Sequence, residues 1–243
     1  MNLIDTHFHL DLWNNPKEIL KKIEAKQIYT IAVTNAPSVF KFTYQLALES
    51  KYIRPALGYH PEVIKDRPND LSLFKEYLNL TRYIGEVGLD YACKTDKTIQ
   101  KNIFTSIIKE CFDTGGKIVT IHSRRGENDV IDIVGNNFPG IIILHWYSGS
   151  ISQMKRAINN GYYFSVNYPM TKSNTGRQII KLIPIQRLLL ESDGPFAKTV
   201  NQNSSPLLIE STLFELASIC NLSAEKLKEY IYNNFKECLK IPN

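Results

Sequence analysis

The sequence has no CxxC pair, and its four cysteines, Cys93, Cys111, Cys220 and Cys238, stand far apart. Zinc-ribbon and thioredoxin-type sites are excluded, and reduced thiols are expected in place of a disulfide framework. No run of about 18 consecutive apolar residues occurs, so no transmembrane helix is expected. The first residues carry Asp5, Thr6 and two histidines where a signal peptide needs an unbroken apolar stretch. These absences point to a soluble, cytoplasmic protein with no membrane partner. Excess charge is also scarce: 29 basic against 24 acidic residues give +5. That surplus fits a polyanionic partner without demanding one. Repeats, low-complexity tracts and linker-like segments are lacking too, so residues 1–243 read as one domain.

What is present is a regular alternation. Short apolar runs at 3–9, 29–34, 53–58, 83–88, 117–122, 141–146, 162–167 and 187–193 read as eight strands. Helical patterns separate them, among them 16–26, opened by Pro16, and 103–116, closed by Gly115 and Gly116. Others cover 152–161 and 176–183, and a helical tail from Pro206 to Leu239 divides near Asn221. Such alternation implies parallel strands with right-handed crossovers, and eight units suit a closed (β/α)8 TIM barrel, which runs to about 250 residues. An open doubly wound sheet shares the alternation and is the alternative fold.

Histidine is rare, five in 243 residues, and four of the five fall at predicted strand ends. His7 and His9 end the first strand, Glu86 the fourth, His122 the fifth, His145 the sixth and Asp193 the eighth. In a barrel these ends share one rim, where loops build a site. Side chains alternate along a strand, so His7 and His9 point to one side. Imidazoles with carboxylates suit Zn2+, Mn2+ or similar ions. Six candidate ligands exceed the needs of one tetrahedral ion and suffice for two that share a carboxylate, with Glu86 placed between the groups. Two ions about 3.5–4 Å apart can activate a water and stabilise entering and leaving oxygens. Asp193 is the candidate proton acceptor. Asp5 is either an orienting partner for a histidine or a strand-start hydrogen bond, and Glu191 a hydrogen-bond partner for a ligand.

In order along the chain, "DTHFHLD" (5–11), "GYHP" (58–61), "GEVGLDY" (85–91), "IHSRRG" (121–126), "HWYSGS" (145–150) and "LLLESDGPF" (188–196) resemble the motif series of TatD-family metal-dependent deoxyribonucleases. The resemblance runs from residue 3 to about 197, with a weaker echo in "NNFKECL" (233–239). It implies a TIM barrel of the amidohydrolase superfamily with its metal site at the C-terminal ends of the strands. One ion would be held by His7, His9 and Asp193 and a second by His122 and His145, with Glu86 bridging. Glu86 and Asp193 would be the catalytic carboxylates, and the two divalent ions Mg2+, Mn2+ or Zn2+. The substrate would be DNA, single-stranded or at strand ends. "HSRR", "HWYSGS" and "ESDGPFAK" are similar, more narrowly, to the TatD-like QatD subunit of the Qat anti-phage defence system. That similarity implies operon-encoded defence proteins as partners.

Two departures bear on substrate. After Pro195 the family's Arg-rich segment is replaced by "AKTVNQNSSP" (197–206), and Trp146 stands where a small residue or Cys is common. Arg124, two residues past His122, is placed to clamp a phosphate. Arg125, Lys172, Arg177 and Lys198 read as loop charges of an electrostatic rim or as solvated charge. His60 either lines the site or stabilises the turn before Pro61. Tyr91 and Trp146 either stack on bases or pack within their loops. Two other functions remain open: an amidohydrolase acting on C–N or lactone bonds with the same ions, and a catalytically silent barrel that binds nucleic acid or a partner.

Overall fold

The computed structural model describes residues 1–198 and 207–241. Residues 199–206, the bulk of the divergent segment after Pro195 together with Pro206 of the expected tail, lie outside the described residues. The chain runs β1 (Ile4–Phe8), α1 (Pro16–Lys26), β2 (Tyr29–Ala32), α2 (Pro37–Leu48), β3 (Ile53–Pro55), β4 (Leu57–Tyr59), α3 (Asp70–Tyr77) and β5 (Tyr83–Gly88). It continues through α4 (Lys97–Thr114), β6 (Ile118–His122), α5 (Glu127–Val134), β7 (Ile141–His145), α6 (Ile151–Asn159), β8 (Tyr163–Val166), α7 (Tyr168–Lys172) and α8 (Asn174–Leu182). The last elements are β9 (Leu188–Leu190), α9 (Leu208–Ile219) and α10 (Ala224–Leu239).

All strand pairings are parallel, in the orders β1-β2-β3 and β4-β5-β6-β7-β8-β9. Backbone bonds from Asp193 N to His7 O and from His9 N to Gly194 O, each 2.9 Å, join the last strand end to the first. Ala56 N donates to Ala32 O at 2.8 Å and ties the other junction. The ring therefore closes, and the open sheet is set aside. The expected strand 53–58 is divided at Ala56: Ile53–Pro55 pair with β2 and Leu57–Tyr59 with β5. Ala56 still bonds to β2 through its N–H, and the chain passes to β5 from Leu57 onward.

Helix ends follow local chemistry. The Asn15 side chain accepts from Glu18 N to start α1, while Asp96 accepts from Thr98 N and Ile99 N to start α4. The expected helix 103–116 is thus longer at its start, because the polar turn Lys97–Asn102 hides the apolar period that the Asp96 cap overrides. Gly115, at φ 70°, closes it.

An apolar cluster of Ile4, Ile31, Val33, Ala56, Tyr83, Ile118, Ile143, Tyr163 and Leu189 draws at least one residue from each barrel position, two from the second, and Phe235 and Cys238 of α10 pack against it. α10 thereby covers the N-terminal end of the barrel, and the polar residues collect at the other. Gly58 lets two backbones meet there. A Cβ on it would lie 1.7 Å from Thr34 O and 2.5 Å from Glu86 N, and Thr34 O in turn accepts from Glu86 N at 3.0 Å.

Candidate metal centre

The rim brings His7, His9, Glu86, His122, His145 and Asp193 together, and five of the six are nearly or fully buried. His7 Nε2 and His9 Nε2 lie 3.2 Å apart. Glu86 Oε2 is 3.5 Å and 3.4 Å from these two nitrogens, and Asp193 Oδ1 is 3.6 Å from each. An ion held tetrahedrally at 2.0–2.1 Å separates neighbouring donors by about 3.3–3.4 Å, so the spacing fits an ion such as zinc. Asp193 Oδ1 is buried without a hydrogen-bond donor, as are Nδ1 of His7 and of His9. A buried carboxylate oxygen left in that state calls for a cation.

The other oxygen of Glu86 faces a second group. His122 Nδ1 lies 2.7 Å, His145 Nε2 2.9 Å and His60 Nε2 3.5 Å from Glu86 Oε1. His122 Nδ1 and His145 Nε2 are 3.4 Å apart, and the His145 ring stacks on that of His7 with centroids 3.9 Å apart. Three overlapping sets could hold an ion: His7, His9 and Glu86; His7, His145 and Asp193; and His60, Glu86 and His122.

Burial pushes the Glu86 carboxyl up, yet the imidazoles of His60 and His145 and hydrogen bonds from His122 and His145 outweigh it and hold the group well below its usual range. Burial opposes charge on His9 as well, but the Asp193 and Glu86 carboxylates lift it to about 9. Burial likewise disfavours charge on His145, which Glu191 and Glu86 nonetheless raise well above its ordinary value. Burial, joined by the His145 cation, lowers His7.

Glu191 is fully buried and meets His145 Nδ1 at 3.3 Å, Trp146 N at 3.2 Å and Asn167 Nδ2 at 2.9 Å, with the Ser165 hydroxyl on its other oxygen. It therefore contacts a candidate ligand. Asp5 takes the simpler of its two expected roles: Oδ1 accepts from His7 N at 3.2 Å and Ser192 N at 2.9 Å, joining the first and last strand ends without touching an imidazole ring nitrogen. His60 does two things, accepting from Glu62 N at Nδ1 (3.2 Å) while Nε2 faces Glu86. Burial lowers its pKa to about 3 against the pull of the Glu86 carboxylate.

Arg124 and Trp146 line two cavities at the cluster, of about 230 and 410 Å³, which His122 and His145 also share. Tyr91 does not line either. Its hydroxyl donates to Asp129 of α5 and Lys97 covers its ring at 4.9 Å, which turns it away from the centre. Lys172 and Arg177 stand in helices α7 and α8, where Lys172 pairs with Glu215 at 2.7 Å and Arg177 Nη1 donates to Thr171 O at 3.2 Å. Neither is a loop charge free to meet a ligand. Arg125 and Lys198 are exposed.

Asp90 and Phe196 were not singled out from sequence. Asp90 Oδ2 is 3.3 Å from His122 Nε2 and 3.9 Å from Arg124 Nη1, and its backbone is gripped by the buried Gln100, with N–Oε1 2.8 Å and O–Nε2 2.9 Å. Its signal was a carboxylate four residues past Glu86. Phe196 lines the smaller cavity.

The closed parallel barrel with an imidazole and carboxylate centre at its C-terminal rim defines a TIM barrel with a candidate metal site. The profile of the family described as "TatD related DNase" matches residues 4–240, and the chain belongs to that family. It is 30% identical over 261 residues to an "Uncharacterized metal-dependent hydrolase" of Buchnera aphidicola, covering 100% of this chain and 98% of the relative. Human "Deoxyribonuclease TATDN3" is 24% identical, covering 96% of this chain and 93% of that protein. The crystal structure of YJJV, a TatD homolog from Escherichia coli K12, shares the fold with a TM-score of 0.87 at 23% identity, over 99% of this chain and 98% of that one. Among the described residues no helix is long and apolar enough to cross a membrane.

Proposed function

We propose that this chain, acting through residues 1–243 as one domain, is a metal-dependent hydrolase of phosphodiester bonds in DNA. The observation that carries the reading is Glu86, whose two oxygens each face a different histidine group within 3.5 Å. His7, His9 and Asp193 would hold one divalent ion, His122 and His145 a second, and Glu86 would be shared, with Mg2+, Mn2+ or Zn2+ as the ion. When bound, such a pair supplies charge stabilisation for the pentavalent phosphorus and lowers the pKa of water. Asp193 accepts the proton of the attacking water, a role its unpaired buried oxygen suits. Arg124, with a side chain 61% exposed at the cavity edge, donates to the phosphate. DNA as substrate is supported by the family's description and by the printed name of the human relative.

The QatD-like motifs extend the reading to cytoplasmic anti-phage defence beside operon-encoded proteins. Co-purification of those proteins with the chain tests that part, and a chain that carries none of them from cells expressing the whole operon contradicts it. Hydrolysis is tested with chelator-treated protein, with and without added Mn2+, on labelled single-stranded DNA, duplex DNA and a lactone panel. Metal-dependent release of nucleotides is expected. Lactone turnover with inert DNA would replace this function by the amidohydrolase one, and DNA binding without turnover by a silent binding barrel.

A further inference from the structure

Phe196 leaves 53% of its surface exposed although it stands at a polar rim, with its ring edge-on to that of His9 and centroids 5.0 Å apart. What sets Phe196 apart from other exposed apolar residues is its place, at the edge of the smaller cavity and against a candidate ligand. A second aromatic residue belongs to the other histidine group. Trp146 follows His145 directly and holds a left-handed backbone, φ 39°. A bulky residue keeps that conformation only where its surroundings impose it. Here the imposition is visible: Trp146 N donates to the buried Glu191 carboxylate, the one that also contacts His145. Trp146 thereby lines both cavities, and Phe196 lines the smaller one. The larger cavity, about 410 Å³, shares Arg124 with the smaller and adds Ser123 and Ser148. Its volume falls in the roughly 300–1,000 Å³ range of small-ligand sites, and its mixed lining of indole, guanidinium and hydroxyls suits a nucleoside.

We propose that Trp146 and Phe196 are two stacking platforms that receive unpaired bases on either side of the scissile phosphodiester. The proposal rests on the phosphodiesterase reading and deepens it: the two rings hold the flanking bases by their faces and not by their sequence. In a duplex those faces are covered by neighbouring base pairs and cannot reach a platform. Every base has a π-face, so stacking grips a strand with little sequence preference. Arg124 supplies the charge contact and the aromatic pair the demand for bases.

The test uses full-length, chelator-treated protein. The chain has two tryptophans, so Trp13→Phe leaves Trp146 as the sole indole. This variant is titrated with oligothymidylate and with an oligomer of equal length whose sugars are abasic, followed by indole fluorescence and by anisotropy of the labelled strand. Oligothymidylate should quench Trp146 and bind more tightly than the abasic strand. Trp146→Ala and Phe196→Ala should each weaken oligothymidylate binding about 5- to 150-fold, and Trp146→Phe should recover much of the loss. Phe196 is exposed, so its replacement leaves the core intact. Equal affinity for the two strands, or unchanged affinity in both alanine variants, overturns the proposal. A cleavage assay with Mn2+ separates the two readings. If abasic strands are cut as well as oligothymidylate, hydrolysis stands and the platforms fall. If base-dependent quenching occurs and neither strand is cut, the platforms stand and hydrolysis falls.

Discussion

Glu191 Oε1 lies 3.3 Å from Nδ1 of His145, leaving the opposite nitrogen of that ring directed at Glu86, 2.9 Å away. A carboxylate behind a histidine fixes its tautomer and strengthens it as a ligand. Glu191→Gln keeps the shape and removes the charge. We expect metal affinity or kcat to fall about 10- to 100-fold, read by calorimetry and by turnover, with the fold retained by circular dichroism. Unchanged affinity and turnover would show that Glu191 only packs.

Asp90 makes the matching contact to His122 and also approaches Arg124. Asp90→Asn should lower kcat through His122 and raise the KM for DNA through Arg124. Arg124→Ala should raise KM while leaving metal content unchanged. A comparison of kcat and KM in the two variants checks the division, and an unaltered KM in Arg124→Ala would remove its phosphate role.

Gly58 holds Glu86 in place by allowing close backbone approach. A methyl group 1.7 Å from Thr34 O cannot be accommodated without moving β2 or β5. Gly58→Ala should cost about 3 kcal/mol in denaturant unfolding and reduce metal binding along with it. Wild-type stability in that variant would contradict the packing described at this junction.

Metal binding should release protons at neutral pH. His9, raised to about 9, and His145, raised well above its usual value, are protonated in the ion-free cluster, and a protonated ring nitrogen cannot coordinate. The sign follows directly: affinity rises with pH from 6 toward about 9 as proton competition fades. Calorimetry of Mn2+ binding in buffers of different ionisation enthalpy measures the release, and a pH-independent affinity would contradict it.

The barrel was legible because apolar runs recur with helical stretches between them, and the candidate ligands because scarce imidazoles fall at the ends of those runs. His7, His9, Glu86, His122, His145 and Asp193 converge in space as their strand positions imply. What the sequence withheld depends on loop paths. Tyr91 turns away because its hydroxyl finds Asp129, thirty-eight residues later. Lys172 looks like a loop charge until α7 and α9 bring Glu215 beside it. Asp90 matters only once the strand ends place it against both His122 and Arg124, a relation no local period encodes. Phe196 reads as an ordinary apolar residue until its exposure beside His9 is seen.

The most direct measurement is single-turnover cleavage of labelled single-stranded DNA by chelator-stripped protein as Mn2+ is titrated, with bound metal counted in the same samples. The rate should be absent without metal, rise as two ions per chain are taken up, and vanish in Asp193→Asn. Cleavage that survives complete metal removal, or full activity in Asp193→Asn, would contradict the account.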